Sequence, residues 1–345
     1  MKKYLILLAC ILVIASCNTD DDRPSLSIPN KDAQIAELVF TPDEVLSPFY
    51  YLIQAGEIVI NWGDNSRPKE YVYLGEWSEI AKIKPIQYTY QNKGNYSVNI
   101  RTSNLFCLDF SRGIGQSSRN NQISSLNLYN CTTLAKLYCK NQPINGINLT
   151  ECTNLMTADF SGSEIKTIQI NKENELMVLR IDSTLIPSFN CDLVPNLQEL
   201  GIGNRTQSQA MSNMNHLKRL KKLILKGDID ILDLNLTHND SIRSIKGINT
   251  NTRELNLTEL NMLDSISLEK CKNLNKVILK ANTALKYIAL KNNVTLDAKA
   301  LNDIFTALPQ ATGTNRTIAL SGNLGDTTCD RTIATRKGWS FESSL

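Results

Sequence analysis

Residues 131–160 read CTTLAKLYCKNQPINGINLTECTNLMTADF, and the spacing of apolar residues in and around this stretch decides the fold. Leu134, Leu155, Leu176 and Leu197 are 21 residues apart, as are Ile123, Ile144, Ile165 and Ile186. A short fixed period of this kind means a solenoid, a stack of similar coils whose apolar ladders face inward. Each repeat splits in two, because Leu134-x-x-Leu137-x-Cys139 is followed by a second run of the same form, Ile144-x-x-Ile147-x-Leu149. The first series continues at Leu220, Ile242, Leu263 and Leu285, and the second at Ile231, Thr252 and Leu274. Strand alternation then turns positions 1, 4 and 6 of each run inward and leaves 2, 3, 5 and 7 outside. So short a repeat has no room for a strand, a full helix and two turns, so flattened coils with extended or 3₁₀ segments on both sides are expected. A lone coil would leave its apolar layer open to water, which makes the stack obligatory.

Working outward, Arg119-Asn120-Asn121-Gln122-Ile123 matches a recurrent Asn-Asn-Gln-Leu turn, and the chain resembles the leucine-rich repeats of Bacteroidetes surface proteins. Later turns depart from that pattern, since Asn121 is followed at the same step by Gln142, Ser163 and Thr184 instead of an asparagine ladder. Leu105-x-x-Leu108-x-Phe110 reads as an opening coil, followed by an insert around Arg112 to Ser118. Between Ile202 and Leu220 the second run is absent from the pattern, and Ser208 to His216 reads as a short helix. Past Val294 the repeat gives way to a cap, which a solenoid needs over its last apolar layer. There Ala298 to Leu308 reads as a helix stopped by Pro309, Thr317 to Leu320 as a strand, Asp330 to Arg336 as a helix, and Trp339 as an anchor. This segment is similar to the terminal module of the same lipoprotein group.

On the other side of the repeats, Ile58, Ile60 and Trp62 alternate onto one strand face before Gly63-Asp64-Asn65-Ser66 turns the chain. Trp62-Gly63-Asp64-Asn65 and Tyr90-Gln-Asn-Lys-Gly94-Asn-Tyr96-Ser-Val98-Asn-Ile100 resemble the Trp-Gly-Asp-Gly turn and late strand of the polycystic-kidney-disease (PKD) β-sandwich modules, with Asn65 in place of the second glycine. That resemblance implies a spacer or weak binding unit, with Asp64 forming the turn. The chain begins MKKYLILLACILVIASCNTDDD, two lysines and an apolar run too short to cross a bilayer. Ile14-Ala15-Ser16-Cys17 resembles the lipobox of bacterial lipoproteins, and Asp20-Asp21-Asp22 their acidic surface-export signal. The resemblance implies lipid on Cys17 and attachment to the outer membrane by acyl chains, with nothing spanning it and the protein exposed at the surface.

The expected organisation is therefore a signal peptide over 1–16, a lipidated acidic tether over 17–31, a PKD-like β-sandwich over 32–103, leucine-rich repeats over 104–293 and an α/β cap over 294–345. The fold class is mainly β. Without Lys2 and Lys3 the basic side chains fall from 37 to 35 against 34 acidic ones, so no global attraction to nucleic acid is expected. Seven cysteines remain after Cys10 and Cys17 are set aside, and Cys131, Cys139, Cys152, Cys191 and Cys271 hold apolar repeat positions. Buried free thiols are the expected state, and a bridge between Cys131 and Cys152 on neighbouring coils would be strained.

Nothing points to chemistry. The two histidines, His216 and His238, lack partners at metal spacing, and no nucleophile elbow or phosphate loop occurs in a fitting context. No enzyme activity, cofactor or metal is expected, and the outward positions of the first series are the candidate binding surface. At position 2 they carry Lys221, Arg243, Asp264 and Lys286, and at position 7 Lys226, Ile248, Glu269 and Lys291, so Asp264 is expected between two cations and Glu269 beside Lys291. Lys221, Lys222, Lys226 and Lys246 are left over, with Glu199 opposite Lys222, as a cluster for an acidic partner. Position 5 shows no aromatic stripe, only Tyr138 as an isolated candidate, which favours a protein partner over a glycan. The function expected is a lipid-anchored surface protein that binds a protein; the alternatives are glycan capture for nutrient uptake or a structural envelope role.

Overall fold

The computed structural model describes residues 33–42, 49–55, 57–72, 86–111, 122–227, 236–280, 283–311 and 315–342. The expected signal peptide, Cys17, the acidic tether, the insert around Arg112 to Ser118, the turn at Arg119 to Asn121 and Ile231 lie outside the described residues. No helix among the described residues is long and apolar enough to cross a membrane.

Eight strands come before the regular coils: β1 Gln34–Thr41, β2 Phe49–Ala55, β3 Glu57–Asn61, β4 Lys69–Val72, β5 Ile86–Tyr88, β6 Tyr96–Thr102, β7 Leu105–Asp109 and β8 Gln122–Tyr129. One sheet runs β4-β3-β6-β1-β8, with Ile58, Ile60 and Trp62 fully buried on its inner face. Gly63 and Asn65 both take positive φ, and the Asp64 carboxylate accepts from the Ser66 N–H at 3.1 Å, so this carboxylate shapes the turn. Opposite lie β5, β2 and β7, and β7 passes the hydrogen-bond ladder on: it pairs antiparallel with β2 on one side and parallel with the first regular coil on the other.

The coils supply sixteen further strands: β9 Lys136–Tyr138, β10 Gly146–Asn148, β11 Thr157–Asp159, β12 Thr167–Gln169, β13 Val178–Arg180, β14 Ser188–Asn190, β15 Glu199–Ile202, β16 Ala210–Ser212, β17 Lys222–Lys226, β18 Ser244–Ile248, β19 Glu254–Asn256, β20 Ser265–Glu269, β21 Lys276–Ile278, β22 Tyr287–Lys291, β23 Arg316–Ser321 and β24 Trp339–Phe341. The first-series strands join β23, β24 and the sandwich strands in one 13-stranded sheet, order β24-β23-β22-β20-β18-β17-β15-β13-β11-β9-β7-β2-β5. The second-series strands form the opposite side as short parallel pairs, β10 with β12, β14 with β16 and β19 with β21. This is a mainly β leucine-rich-repeat solenoid, as the spacing predicts. Leu220, Leu223 and Leu225 are fully buried at positions 1, 4 and 6 of their run, and the sandwich and coil interiors form one continuous apolar cluster.

The expected gap between Ile202 and Leu220 is corrected by the structure. The coil keeps its second strand, β16, whose Met211 sits beside Phe189 in parallel register. Only Met214–His216 is helical there, a single 3₁₀ turn. One apolar residue between Ala210 and Ser212 leaves too little pattern to see, while backbone pairing needs no side chain at all.

At the coil corners other polar residues replace asparagine in the earlier coils, and asparagine returns at Asn293 and Asn323. Gln142, buried to 2% exposure, accepts from the Ile123 N–H at 2.9 Å and donates to the Phe110 carbonyl at 2.5 Å. Fully buried Asn293 accepts from the Cys271 N–H at 2.9 Å and donates to the Leu268 carbonyl at 3.0 Å. Asn323 repeats the motif one coil later, accepting from the Asn293 N–H and donating to the Leu290 carbonyl. These amides satisfy corner backbone groups that neither sheet reaches.

At the C-terminal end α1, Ala298–Ala307, starts where the Asp297 carboxylate accepts from the Ala300 N–H, and it buries Leu301, Ile304 and Phe305. A second short helix, α2 Thr332–Thr335, leads to Trp339, which is 2% exposed and donates through Nε1 to the Pro309 carbonyl at 2.9 Å.

Candidate functional site

The outer face of the 13-stranded sheet is a long regular surface, and pairing registers fix which residues stand next to each other on it. One outward row runs Asp109, Tyr138, Asp159, Arg180, Gly201, Ile224, Lys246, Ser267 and Ala289 from β7 to β22. A parallel row runs Lys136, Thr157, Val178, Glu199, Lys222, Ser244, Ser265 and Tyr287. Neighbours within a row are about 4.8 Å apart, so charges on adjacent strands meet directly.

In the middle of the face the charges neutralise one another. Arg180 donates through Nε to Asp182 at 2.8 Å and through Nη1 to Glu199 at 3.1 Å. Glu199 in turn pairs with Lys222 at 3.1 Å, as their opposed register positions require. Burial works against the charge on Arg180, but Asp182, with Asp159 and Glu199 beyond it, holds the guanidinium above its ordinary range. Gly201 makes this packing possible: a methyl group there would stand 2.3 Å from Asp182 Oδ1 and 2.5 Å from Arg180 Nε. Asp182 is 1% exposed, and its second oxygen has no hydrogen-bond partner.

The expected lysine cluster is divided by this arrangement. Lys222 is tied to Glu199, and Lys221, ahead of the strand, donates to Gln198 Oε1 at 2.9 Å. Lys226 and Lys246 remain, on adjacent strands around Ile224 and Ile248, and neither ammonium has an ion pair among the described residues. Two of the expected pairings are absent as drawn. Glu269 meets the next residue, Lys270, at 3.4 Å instead of Lys291, and Asp264 has no ion pair among the described residues. Position 2 lies before the strands begin, so its side chains leave from the corner and not from the face.

Tyr138 stands half-buried at the other end of the face. It lies between Asp109 and Asp159 in its row, and burial, with Cys107 and these two carboxylates adding to it, raises its hydroxyl above the ordinary range. Asp109 accepts from the Ser111 N–H at 3.0 Å but has no ion pair among the described residues, and burial raises its pKa. Asp159 accepts from the Ser161 N–H and has Lys140 at 3.9 Å. The sequence spacing singles out Tyr138 but not Asp109 beside it, because the step from Cys107 to its partner Lys136 is longer than the repeat.

Elsewhere, His216 pairs with Asp192 at 2.6 Å on the surface. All seven described cysteines are free thiols, six of them buried. No group of three metal-ligating side chains occurs among the described residues. A cleft of about 570 Å³ opens beside the sandwich turn, lined by Asp64, Ser66, Lys69, Gln87, Tyr88 and Gln91 with Thr89.

The repeating coil, its two strand series and its inward leucines make a solenoid of the leucine-rich-repeat-like fold. No protein-family model matches it, and no curated protein matches its sequence. Among solved structures it is similar to the functional domain of InlJ from Listeria monocytogenes, which includes a cysteine ladder, with a TM-score of 0.35 and 16% identity. That match covers 55% of this chain and 46% of the other, so it spans less than half of the solved protein. The coil geometry, not this likeness, carries the assignment.

Proposed function

We propose that this is a non-enzymatic, lipid-anchored protein of the bacterial surface, of the Bacteroidetes type, whose solenoid binds a protein partner through the outer face of its long sheet. The observation that carries the binding reading is the pair Lys226 and Lys246 on adjacent strands of that face, without an ion pair among the described residues and beside a centre whose charges are already matched. A surface of this kind favours an acidic protein patch and rejects a basic one. The anchor rests on the lipobox-like run ending at Cys17, and the PKD-like sandwich would serve as spacer between tether and coils.

Screening residues 24–345 against arrays of extracellular proteins and of glycans tests the reading. Saturable protein binding that falls at least tenfold in the variant Lys226→Glu with Lys246→Glu supports it; protein binding indifferent to that variant refutes the assigned face. Glycan binding alone would favour the second reading, nutrient capture, to which the polar cleft at Asp64 and Gln87 lends support. Fatty-acid labelling that survives Cys17→Ala would refute the anchor.

A further inference from the structure

The face that carries Lys226 and Lys246 has a second end of opposite character. On three adjacent strands Asp109, Tyr138 and Asp159 form one row, with the aromatic ring between two carboxylates. Among the described residues partly buried Asp109 has no ion pair, Asp159 has only Lys140 at 3.9 Å, and the Tyr138 hydroxyl has no hydrogen-bond partner. Lys140 offsets the burial of Asp109 only in part, since the carboxyl pKa stays raised, and a cation set over the ring beside it would relieve the remaining cost while gaining the attraction of the π face. Between the two ends, Arg180, Asp182, Glu199 and Lys222 pair among themselves, and Gly201 in the row has no side chain. The face therefore has a cation-seeking end, a low matched centre and an anion-seeking end.

From this we infer that the outer face takes one extended, bipolar peptide segment running across the strands, its arginine or lysine seated on Tyr138 between Asp109 and Asp159 and its acidic residues on Lys226 and Lys246. The inference deepens the proposed protein-binding function and rests on it for the basic end only. Tyr138 and Lys246 are separated by five strand steps, β9 to β11, β13, β15, β17 and β18. At about 4.8 Å each this spans roughly 24 Å, the length of about seven extended residues. The segment's polarity is fixed as well, since the reversed orientation would set like charges against each other at both ends.

Three labelled synthetic peptides test it by fluorescence anisotropy at low ionic strength. One carries an arginine pair and an aspartate pair separated by a Gly-Ser spacer of matching length; one replaces the arginines by glutamines, and one replaces the aspartates by asparagines. The bipolar peptide is expected to bind about five to ten times more tightly than the acidic one, the size of a single well-placed cation contact. Asp109→Asn with Tyr138→Ala should erase that advantage and leave the acidic peptide's affinity unchanged. Lys226→Gln with Lys246→Gln should weaken the bipolar and acidic peptides by the same factor. Equal affinity of the bipolar and acidic peptides, or an advantage that survives Asp109→Asn with Tyr138→Ala, overturns the inference while leaving the basic end standing. Binding of the arginine peptide that depends on Tyr138, with none of the acidic peptide, supports the cation seat and removes the lysine reading. Failure of all three peptides to bind overturns both.

Discussion

Asn293→Ala removes the amide on which the last regular coil closes. In the native protein that amide accepts from the Cys271 N–H at 2.9 Å and donates to the Leu268 carbonyl and to Asn323 Oδ1, both at 3.0 Å. Truncation leaves the Cys271 N–H without a partner in a place that is fully buried, at about 1–3 kcal/mol for the orphaned donor. Loss of the donor to Leu268 adds about 1 kcal/mol, so the expected destabilisation is roughly 3 kcal/mol. Asn323 Oδ1 keeps the Asn293 N–H and should contribute little. Urea unfolding followed by far-UV circular dichroism measures the difference, and amide exchange at Cys271 localises it. Asn273→Ala is the control, because that exposed side chain donates only to Asn251 Oδ1, and it should cost no more than about 0.5 kcal/mol. If Asn293→Ala unfolds within about 0.5 kcal/mol of the parent, or no differently from the control, corner closure by buried amides is refuted as a source of stability.

Three further outcomes follow from the same geometry. Gly203→Ala should destabilise by about 2–4 kcal/mol, since the residue has φ of 130° and a methyl group would lie 2.2 Å from the Lys226 carbonyl, whereas Gly94→Ala meets nothing closer than 3.7 Å; thermal melts of the two variants compare them. Burial pushes the Cys131 and Cys191 thiols up to about 12, and at pH 8 only a trace of either is thiolate, so a thiol reagent should label native residues 24–345 at half-exposed Cys329 well before any buried cysteine. Asp109→Asn should raise the melting temperature at neutral pH, because burial lifts the native pKa of Asp109 above its ordinary 3.8. The sign follows from linkage: the ionised native state is penalised above the raised pKa, and the penalty disappears as the pH falls through it toward 3.8, so the variant's advantage should vanish in acid. An advantage that grows on acidification would contradict the assignment.

What could be read from the sequence followed side-chain repetition, and what could not followed backbone or corner geometry. Leu134, Leu155, Leu176 and Leu197 announce the coils because each must fill the same inward site, and a change there costs packing in two layers at once. β16 was hidden because a strand with one half-buried methionine keeps its place through backbone pairing to β14 alone. The corner ladder was readable as position but not as function: Gln142, Ser163 and Thr184 break the asparagine pattern, yet each is buried there, and Gln142 uses its longer reach to hold both Ile123 and Phe110. Thr184 donates to the Ile181 carbonyl, whereas the buried Ser163 hydroxyl finds no partner among the described residues, so the closing chemistry is kept at some corners and lost at others while identity drifts.

The charges on the outer face follow a stricter rule than spacing supplies. Glu199 opposite Lys222 was predictable because both side chains leave from strand positions in register, and the pair forms at 3.1 Å. Asp264 and Lys221 hold the same position of their repeats yet sit one residue before their strands, where the corner directs side chains along the edge; Lys221 accordingly finds Gln198, its neighbour on the preceding corner. Only in-strand positions compete for partners on the face, and there the centre neutralises itself through Arg180, Glu199 and Lys222. Among the described residues, Asp109 at one end of the face and Lys226 and Lys246 at the other have no ion pair, while Asp159 has Lys140 at 3.9 Å, and a ligand that reads both ends must match the sheet in length as well as in charge.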